Sequence, residues 1–166
     1  MNKSKTLKKI RFWLLVFFLG LLFSLHTVVF VEIETTLFAQ YLGSGTFMER
    51  TFPFISSWIE TLNTSISETY NTYPVMAYCM DWLSYACVVF AIFMIGAIKD
   101  PIRNIWIIQV YMIACILGFL LPFIAGPFRE IPIFWRFIDS SFGIIGFLIL
   151  LRPYMLFKKL EAMNKE

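Results

Sequence analysis

Three ionisable side chains within apolar stretches are the residues of this chain best suited to do chemistry. Asp81 lies in "YCMDWLSYA" (78–86), and Arg136 and Asp139 lie three residues apart in "FWRFIDSSFG" (134–143). A charged side chain at the centre of a bilayer costs about 2.5–3.5 kcal/mol, and the cost falls when opposite charges meet. We therefore expect these groups to pair with one another inside the protein.

Two acids and one arginine are suited to several kinds of site. Arg136 would neutralise an anionic group, and Asp81 and Asp139 would orient the ligand or take up protons. If Asp81 approaches an Arg136–Asp139 pair, one carboxylate is left to stay protonated or to meet His26. Two carboxylates and a histidine can bind a metal, but the spacing does not require it and no metal site is predicted. A buried network that only fixes the helix register explains the same residues.

Four apolar stretches are long enough to carry such residues across a membrane as helices. A hydrocarbon layer of about 30 Å requires roughly 20 residues of helix. The chain has 166 residues, of which 59% are hydrophobic, and its mean hydropathy of +0.74 is typical of integral membrane proteins. We predict an all-α, single membrane domain (1–166) that forms a four-helix transmembrane bundle. The predicted spans are 12–31, 75–98, 105–126 and 133–157.

The basic residues predict which way these helices run. The two connections other than the 99–104 turn hold only Arg50 and Arg129. Lys and Arg are enriched in cytoplasmic segments, so both termini of this multi-pass membrane protein are predicted to be cytoplasmic. The basic residues assigned to the cytoplasmic side are Lys3, Lys5, Lys8, Lys9, Arg11, Lys99, Arg103, Arg152, Lys158, Lys159 and Lys165.

The long connection between the first two spans, 32–74, is then extracytoplasmic. Within it, residues 51–70 carry apolar side chains at helical spacing, which predicts an amphipathic helix that either lies in the membrane interface or caps the bundle. "LGSGT" (42–46) predicts a turn before this helix. The connection is acidic, with Arg50 opposed by five carboxylates. The apolar face of the predicted helix consists of Phe54, Ile55, Trp58, Ile59, Leu62, Ile66 and Tyr70.

The polar residues inside the spans are predicted to meet near the outer face. Four of them are ionisable, namely His26, Asp81, Arg136 and Asp139. At a helical rise of about 1.5 Å per residue, these four lie roughly 5–10 Å below the outer boundary of the membrane. Ser140 shares a helix face with Arg136 and Asp139, and Tyr85 shares one with Asp81. This pattern predicts a polar seam between the second and fourth spans. The candidate ligand-binding residues are Asp81, Arg136, Asp139, His26, Ser140 and Tyr85.

Motifs for catalysis, cofactors and nucleic acid are not found in the sequence. It has no nucleophile elbow, zinc-protease, Walker or dinucleotide pattern, and its three cysteines lack paired metal spacing. The net charge of +3 is too small to indicate nucleic acid. Catalytic residues and cofactors therefore stay unknown.

The leading hypothesis for function is a non-enzymatic membrane protein with a polar pocket. The pocket would bind a small molecule or a lipid headgroup, or the chain would serve as a subunit of a membrane complex or a homo-oligomer. One alternative is a membrane enzyme that acts on a lipid-soluble substrate by carboxylate acid/base chemistry. The other is a proton-coupled transporter.

Three stretches carry a resemblance to known proteins. "YCMDWLSYA" (78–86), "KDPIRNIW" (99–106) and "IAGPFREIPIFWRFIDSSFG" (124–143) resemble a group of small four-helix integral membrane proteins of bacteria, especially Bacteroidota. The resemblance covers about the second half of the chain. It implies a four-helix fold and a location in the bacterial inner membrane, but no activity. It also implies that relatives often carry histidine at the position of Cys87, so a metal or haem site loses support here.

Overall fold

The structure, a computed structural model, describes residues 3–163. These residues form seven α-helices and one 3-10 turn and contain no strand, so the all-α prediction is confirmed. Lys165, which the sequence assigns to the cytoplasmic side, lies outside the described residues. The elements are α1 (Lys3–Val29), α2 (Val31–Leu42), α3 (Phe47–Thr51), α4 (Pro53–Thr72), α5 (Pro74–Lys99), α6 (Ile105–Ala125), the 3-10 turn (Pro127–Arg129) and α7 (Ile133–Met163).

Four of these helices, α1, α5, α6 and α7, are long and apolar enough to cross a membrane. They overlap the four predicted spans and indicate a multi-pass integral membrane protein. Two of them run further than predicted. Helix α1 begins at Lys3 rather than Phe12, and α7 continues through Pro153 to Met163. The prediction counted only apolar residues, whereas lysine and arginine are also good helix formers.

The connection 32–74 is more helical than the sequence predicted. The amphipathic helix predicted at 51–70 is confirmed as α4, which begins with Pro53 at its first position, where proline is tolerated. Helix α2 was not predicted, because threonine is a weak helix former. In α2 the hydroxyl groups of Thr35 and Thr36 donate to the carbonyl oxygens of Val31 and Glu32, at 2.9 and 2.8 Å, respectively.

The contacts divide the chain into two compact units. Unit 2 comprises Phe23–Val88, and unit 1 comprises the residues up to 22 together with those from 89 onward. Helices α1 and α5 therefore contribute to both units. Unit 1 holds one apolar core, shared by the first half of α1, the end of α5, the start of α6 and the second half of α7. Its buried residues are Ile10, Leu14, Phe17, Met94, Ala97, Ile107, Ile108, Tyr111, Leu150 and Leu160.

Within unit 1, the packing of α6 against α7 positions the polar residues of α7. A Cβ atom on Gly143 would lie 2.6 Å from the carbonyl oxygen of Cys115 and 2.7 Å from the amide nitrogen of Phe119. Glycine therefore allows the two helix backbones to approach closely. The hydroxyl of Ser140 donates to the carbonyl oxygen of Phe119 at 3.0 Å. This contact fixes the rotation of α7 next to Asp139.

Within unit 2, polar contacts hold α4 and the preceding turn against α2. The hydroxyl of Thr36 donates to the side-chain oxygen of Asn63 at 3.1 Å. The predicted turn at 42–46 is confirmed, with Gly45 at φ 81°. In this turn the Ser44 amide donates to the Glu60 carboxylate at 2.8 Å. The Glu60 carboxylate thus holds the turn against α4.

Candidate functional site

Asp81 lies in unit 2 beside a cleft of about 220 Å³. The end of α1, the start of α2, Tyr70 of α4 and the first half of α5 form its walls. Glu32, Tyr70 and Asp81 are the ionisable residues that line this cleft. We call it the Asp81 cleft, and it brings together ionisable groups from three helices.

The Tyr70 hydroxyl experiences the negative charge of both carboxylates. Burial raises the pKa of Tyr70 above its ordinary value, and the negative charges of Glu32 and then Asp81 raise this pKa further. An electrostatic effect of this kind requires both carboxylates to lie near the hydroxyl. The hydroxyl consequently stays protonated at neutral pH, so the cleft presents negative charge together with a neutral hydrogen-bond donor.

Neither carboxylate of the cleft has a basic partner. Among residues 3–163, Glu32 and Asp81 form no ion pair. The basic side chains of unit 2 are Arg50 and, when protonated, His26, and the latter contacts Glu34. The cleft therefore carries two negative groups without a positive partner among the described residues. Such an arrangement favours the binding of a cation.

A second recess next to Asp81 is aromatic. Tyr78, Trp82 and Tyr85 line it together with Asp81, and its volume is about 450 Å³. The Trp82 ring packs edge-to-face against Tyr78 and Tyr85, with centroid distances of 6.1 and 5.9 Å, respectively. Aromatic faces attract cations, most strongly when a quaternary ammonium group lies over tryptophan. Tyrosine and tryptophan are also enriched where helices leave a bilayer.

His26 contacts an acid that the sequence analysis did not consider. Its Nδ1 atom lies 2.9 Å from Glu34 Oε1, and its ring lies 4.8 Å from the Phe30 ring. The partner sits on α2, which begins directly after Phe30. Because α2 was not predicted to be a helix, the spacing of His26 and Glu34 gave no signal for this contact.

Arg136 forms a hydrogen bond to the turn that precedes α7 and does not form the ion pair predicted with Asp139. Its Nε atom donates to the carbonyl oxygen of Ile131 at 2.6 Å, and its side chain packs over Gly126. Within the described part of the chain, no Arg136–Asp139 ion pair is present. Helical side chains point toward the helix N-terminus, so Arg136 reaches back to the turn and away from Asp139.

Asp139 and Ser140 lie on α7 in unit 1, where Ser140 is fully buried against α6 and Asp139 is half-buried. Asp81 and Tyr85 belong to unit 2. The polar seam between the second and fourth predicted spans therefore stays a prediction. What the structure brings together is Asp81 with Glu32 and Tyr70.

Sequence reasoning did not identify Glu32 or Tyr70 as site residues. Glu32 was assigned to the outer connection, and Tyr70 to the apolar face of the amphipathic helix. The available signal was the excess of acids over bases in residues 32–74. This excess indicates a site for cations but does not identify which carboxylates converge.

The described residues contain no group of three His, Cys, Asp or Glu side chains arranged to hold a metal ion. No family model, curated protein or solved structure matches the chain.

Proposed function

We propose that this chain is a non-enzymatic integral membrane protein that binds an ammonium-type cation in the Asp81 cleft. The cation would be carried by a small molecule or by a lipid headgroup. The observation that carries the proposal is the convergence of Glu32, Asp81 and the Tyr70 hydroxyl on one cleft without a basic partner among the described residues. A cation there would neutralise two carboxylates that otherwise repel each other.

The charges around the cleft support a cation over an anion. Unit 2 carries six acids, and Arg50 is its one lysine or arginine. Such an imbalance concentrates cations near the surface and repels anions. The role predicted for Arg136, neutralisation of an anionic ligand, receives no support from its contact with Ile131. The acids are Glu32, Glu34, Glu49, Glu60, Glu68 and Asp81.

The proposal includes a topology. Helices α1, α5, α6 and α7 form a four-helix transmembrane bundle in a bacterial inner membrane, with both termini cytoplasmic and α2–α4 extracytoplasmic. In support, Arg11 donates to the carbonyl oxygen of Lys99 at 2.9 Å, and the start of α1 shares a core with Leu160 of α7. The basic segments thus gather in unit 1, as expected for cytoplasmic ends. The resemblance at 78–86, 99–106 and 124–143 supports a bacterial origin.

Binding of small ammonium compounds tests the proposed function. We would measure calorimetric titrations of the detergent-purified protein with tetramethylammonium and with ethanolamine, and with inorganic phosphate as the anion. Asp81→Asn is expected to weaken cation binding about tenfold, which corresponds to about 1.4 kcal/mol. Glu32→Gln should act in the same direction, because it removes the second carboxylate of the cleft.

Glu68→Gln is the matched control, since Glu68 is an exposed acid of α4 that does not line the cleft. Equal weakening by Asp81→Asn and Glu68→Gln would contradict a defined site, and tighter binding of phosphate would contradict its charge preference. Nanodiscs with phosphatidylethanolamine or phosphatidylglycerol then separate the two sources of the cation. Loss of retained phosphatidylethanolamine, but not of phosphatidylglycerol, from Asp81→Asn identifies a lipid headgroup, whereas equal retention of both lipids by Asp81→Asn and wild type identifies a soluble cation.

A further inference from the structure

Unit 1 contains an apolar groove of about 350 Å³. Helix α6 forms one side with Val110, Tyr111 and Gly118, and phenylalanines of α1 and α5, including Phe17 and Phe90, face it. We call this space the α6 groove. It shares no residue with the Asp81 cleft or with the aromatic recess.

The α6 groove lies among helices that are long and apolar enough to cross a membrane. All its lining residues belong to these four helices. The Tyr111 hydroxyl, which could otherwise bind a polar ligand, already donates to the carbonyl oxygen of Phe90. Water is disfavoured in such an apolar space, because it would find few hydrogen-bond partners there.

Gly118 keeps part of this groove open. A Cβ atom at this position would meet no atom within 4 Å, whereas one at Gly143 would collide with the backbone of α6. Close helix packing therefore explains Gly143 but not Gly118. Because Gly118 lines the groove and has no side chain, this part of the groove stays unfilled by the protein.

We infer that the α6 groove holds one hydrocarbon chain of a membrane lipid as an ordered ligand. A linear apolar chain matches a groove that runs beside a transmembrane helix and offers no free polar group at Tyr111. It would make dispersion contacts with Phe17, Phe90 and their neighbours. The recognised chemistry is the hydrocarbon chain itself, independent of the headgroup.

Photo-crosslinking tests this inference on the unmodified protein. The probe is a phosphatidylcholine with a diazirine within one acyl chain, reconstituted with the protein in nanodiscs. Val110 lines the groove and Ile113 does not, although the two are similarly exposed, at 52% and 57%, and lie one turn apart on α6. An ordered chain in the groove should label Val110 several-fold more than Ile113. Equal labelling would show a fluid lipid shell and would overturn the inference.

Filling the groove provides a second, independent test. Gly118→Leu places a side chain in the groove, and Gly20→Leu is the matched control, because Gly20 also has open space and does not line the groove. Native mass spectrometry after mild delipidation should show that Gly118→Leu has lost the retained lipid, whereas wild-type protein and Gly20→Leu keep it. Lipid retention by Gly118→Leu, or its loss from both variants, would overturn the inference.

Discussion

Different interactions stabilise the interior of each of the two units. Unit 1 has a continuous apolar core and close contact between α6 and α7 at Gly143. Unit 2 has few buried side chains, and two of them, Thr35 and Ser56, are polar. Its turn and helices are joined by hydrogen bonds to carboxylate and amide side chains. Packing therefore defines unit 1, and polar contacts define unit 2.

The two units also differ in charge. Lysine and arginine gather in unit 1, whereas acids dominate unit 2. The proposed membrane topology would account for the basic segments without a ligand, because cytoplasmic ends are enriched in lysine and arginine. It does not explain two unpaired carboxylates in one cleft. These differences are the basis for proposing an apolar ligand in unit 1 and a cation in unit 2.

The largest expected effect comes from crowding the helix pair of unit 1. Gly143→Leu would force a side chain into the backbone of α6, where a Cβ alone already lies 2.6 Å from the Cys115 carbonyl oxygen. Overpacking of this kind costs about 1–3 kcal/mol or more, so the melting temperature in detergent should fall clearly. Gly118→Ala is the control and should be neutral or stabilising by up to about 1 kcal/mol. An unchanged melting temperature for Gly143→Leu would show that close packing does not define unit 1.

A smaller, local effect is expected from removing a polar contact of unit 2. Glu60→Ala removes the acceptor of the Ser44 amide, which costs about 1 kcal/mol for an exposed hydrogen bond. Hydrogen exchange should therefore accelerate at residues 43–46, while the amides of α6 and α7 keep their protection. Glu68→Ala controls for the lost charge. Faster exchange throughout α6 and α7 would contradict the division into two separately stabilised units.

The finest test of unit 2 is the titration of Tyr70. Its raised pKa means that the folded state favours the protonated hydroxyl, so this contribution to stability is complete below the ordinary tyrosine pKa and is lost as the pH rises through the raised value. Glu32→Gln removes one negative charge and should lower the pKa of Tyr70. Ultraviolet titration, with Tyr70→Phe identifying the signal, measures this shift. An unchanged pKa would place Glu32 away from the hydroxyl.

Much of the fold can be predicted from the sequence, because the apolar stretches are long and their periodicity is helical. The ends of α1 and α7 were set too short, since charged helix formers carry no apolar signal. Helix α2 is not predicted because Thr35 and Thr36 are weak helix formers, whereas in the structure their hydroxyl groups donate to carbonyl oxygens one turn earlier in the same helix.

The candidate site was harder to predict than the fold. Asp81 was found because a charge in an apolar stretch is conspicuous. Glu32 and Tyr70 were missed because their approach to Asp81 depends on how α2 and α4 fold. The pairing of Arg136 with Asp139 was wrong because spacing places two residues on one helix face without setting the direction in which each side chain points.

The most direct test of the two proposed sites measures both ligands on one variant of each site. Tetramethylammonium affinity and retained lipid would be measured for wild type, Asp81→Asn and Gly118→Leu under one set of conditions. We expect Asp81→Asn to lose cation affinity and keep its lipid, and Gly118→Leu to lose its lipid and keep cation affinity. If either variant lost both ligands while retaining the wild-type melting temperature, the assignment of cations to unit 2 and hydrocarbon chains to unit 1 would be contradicted.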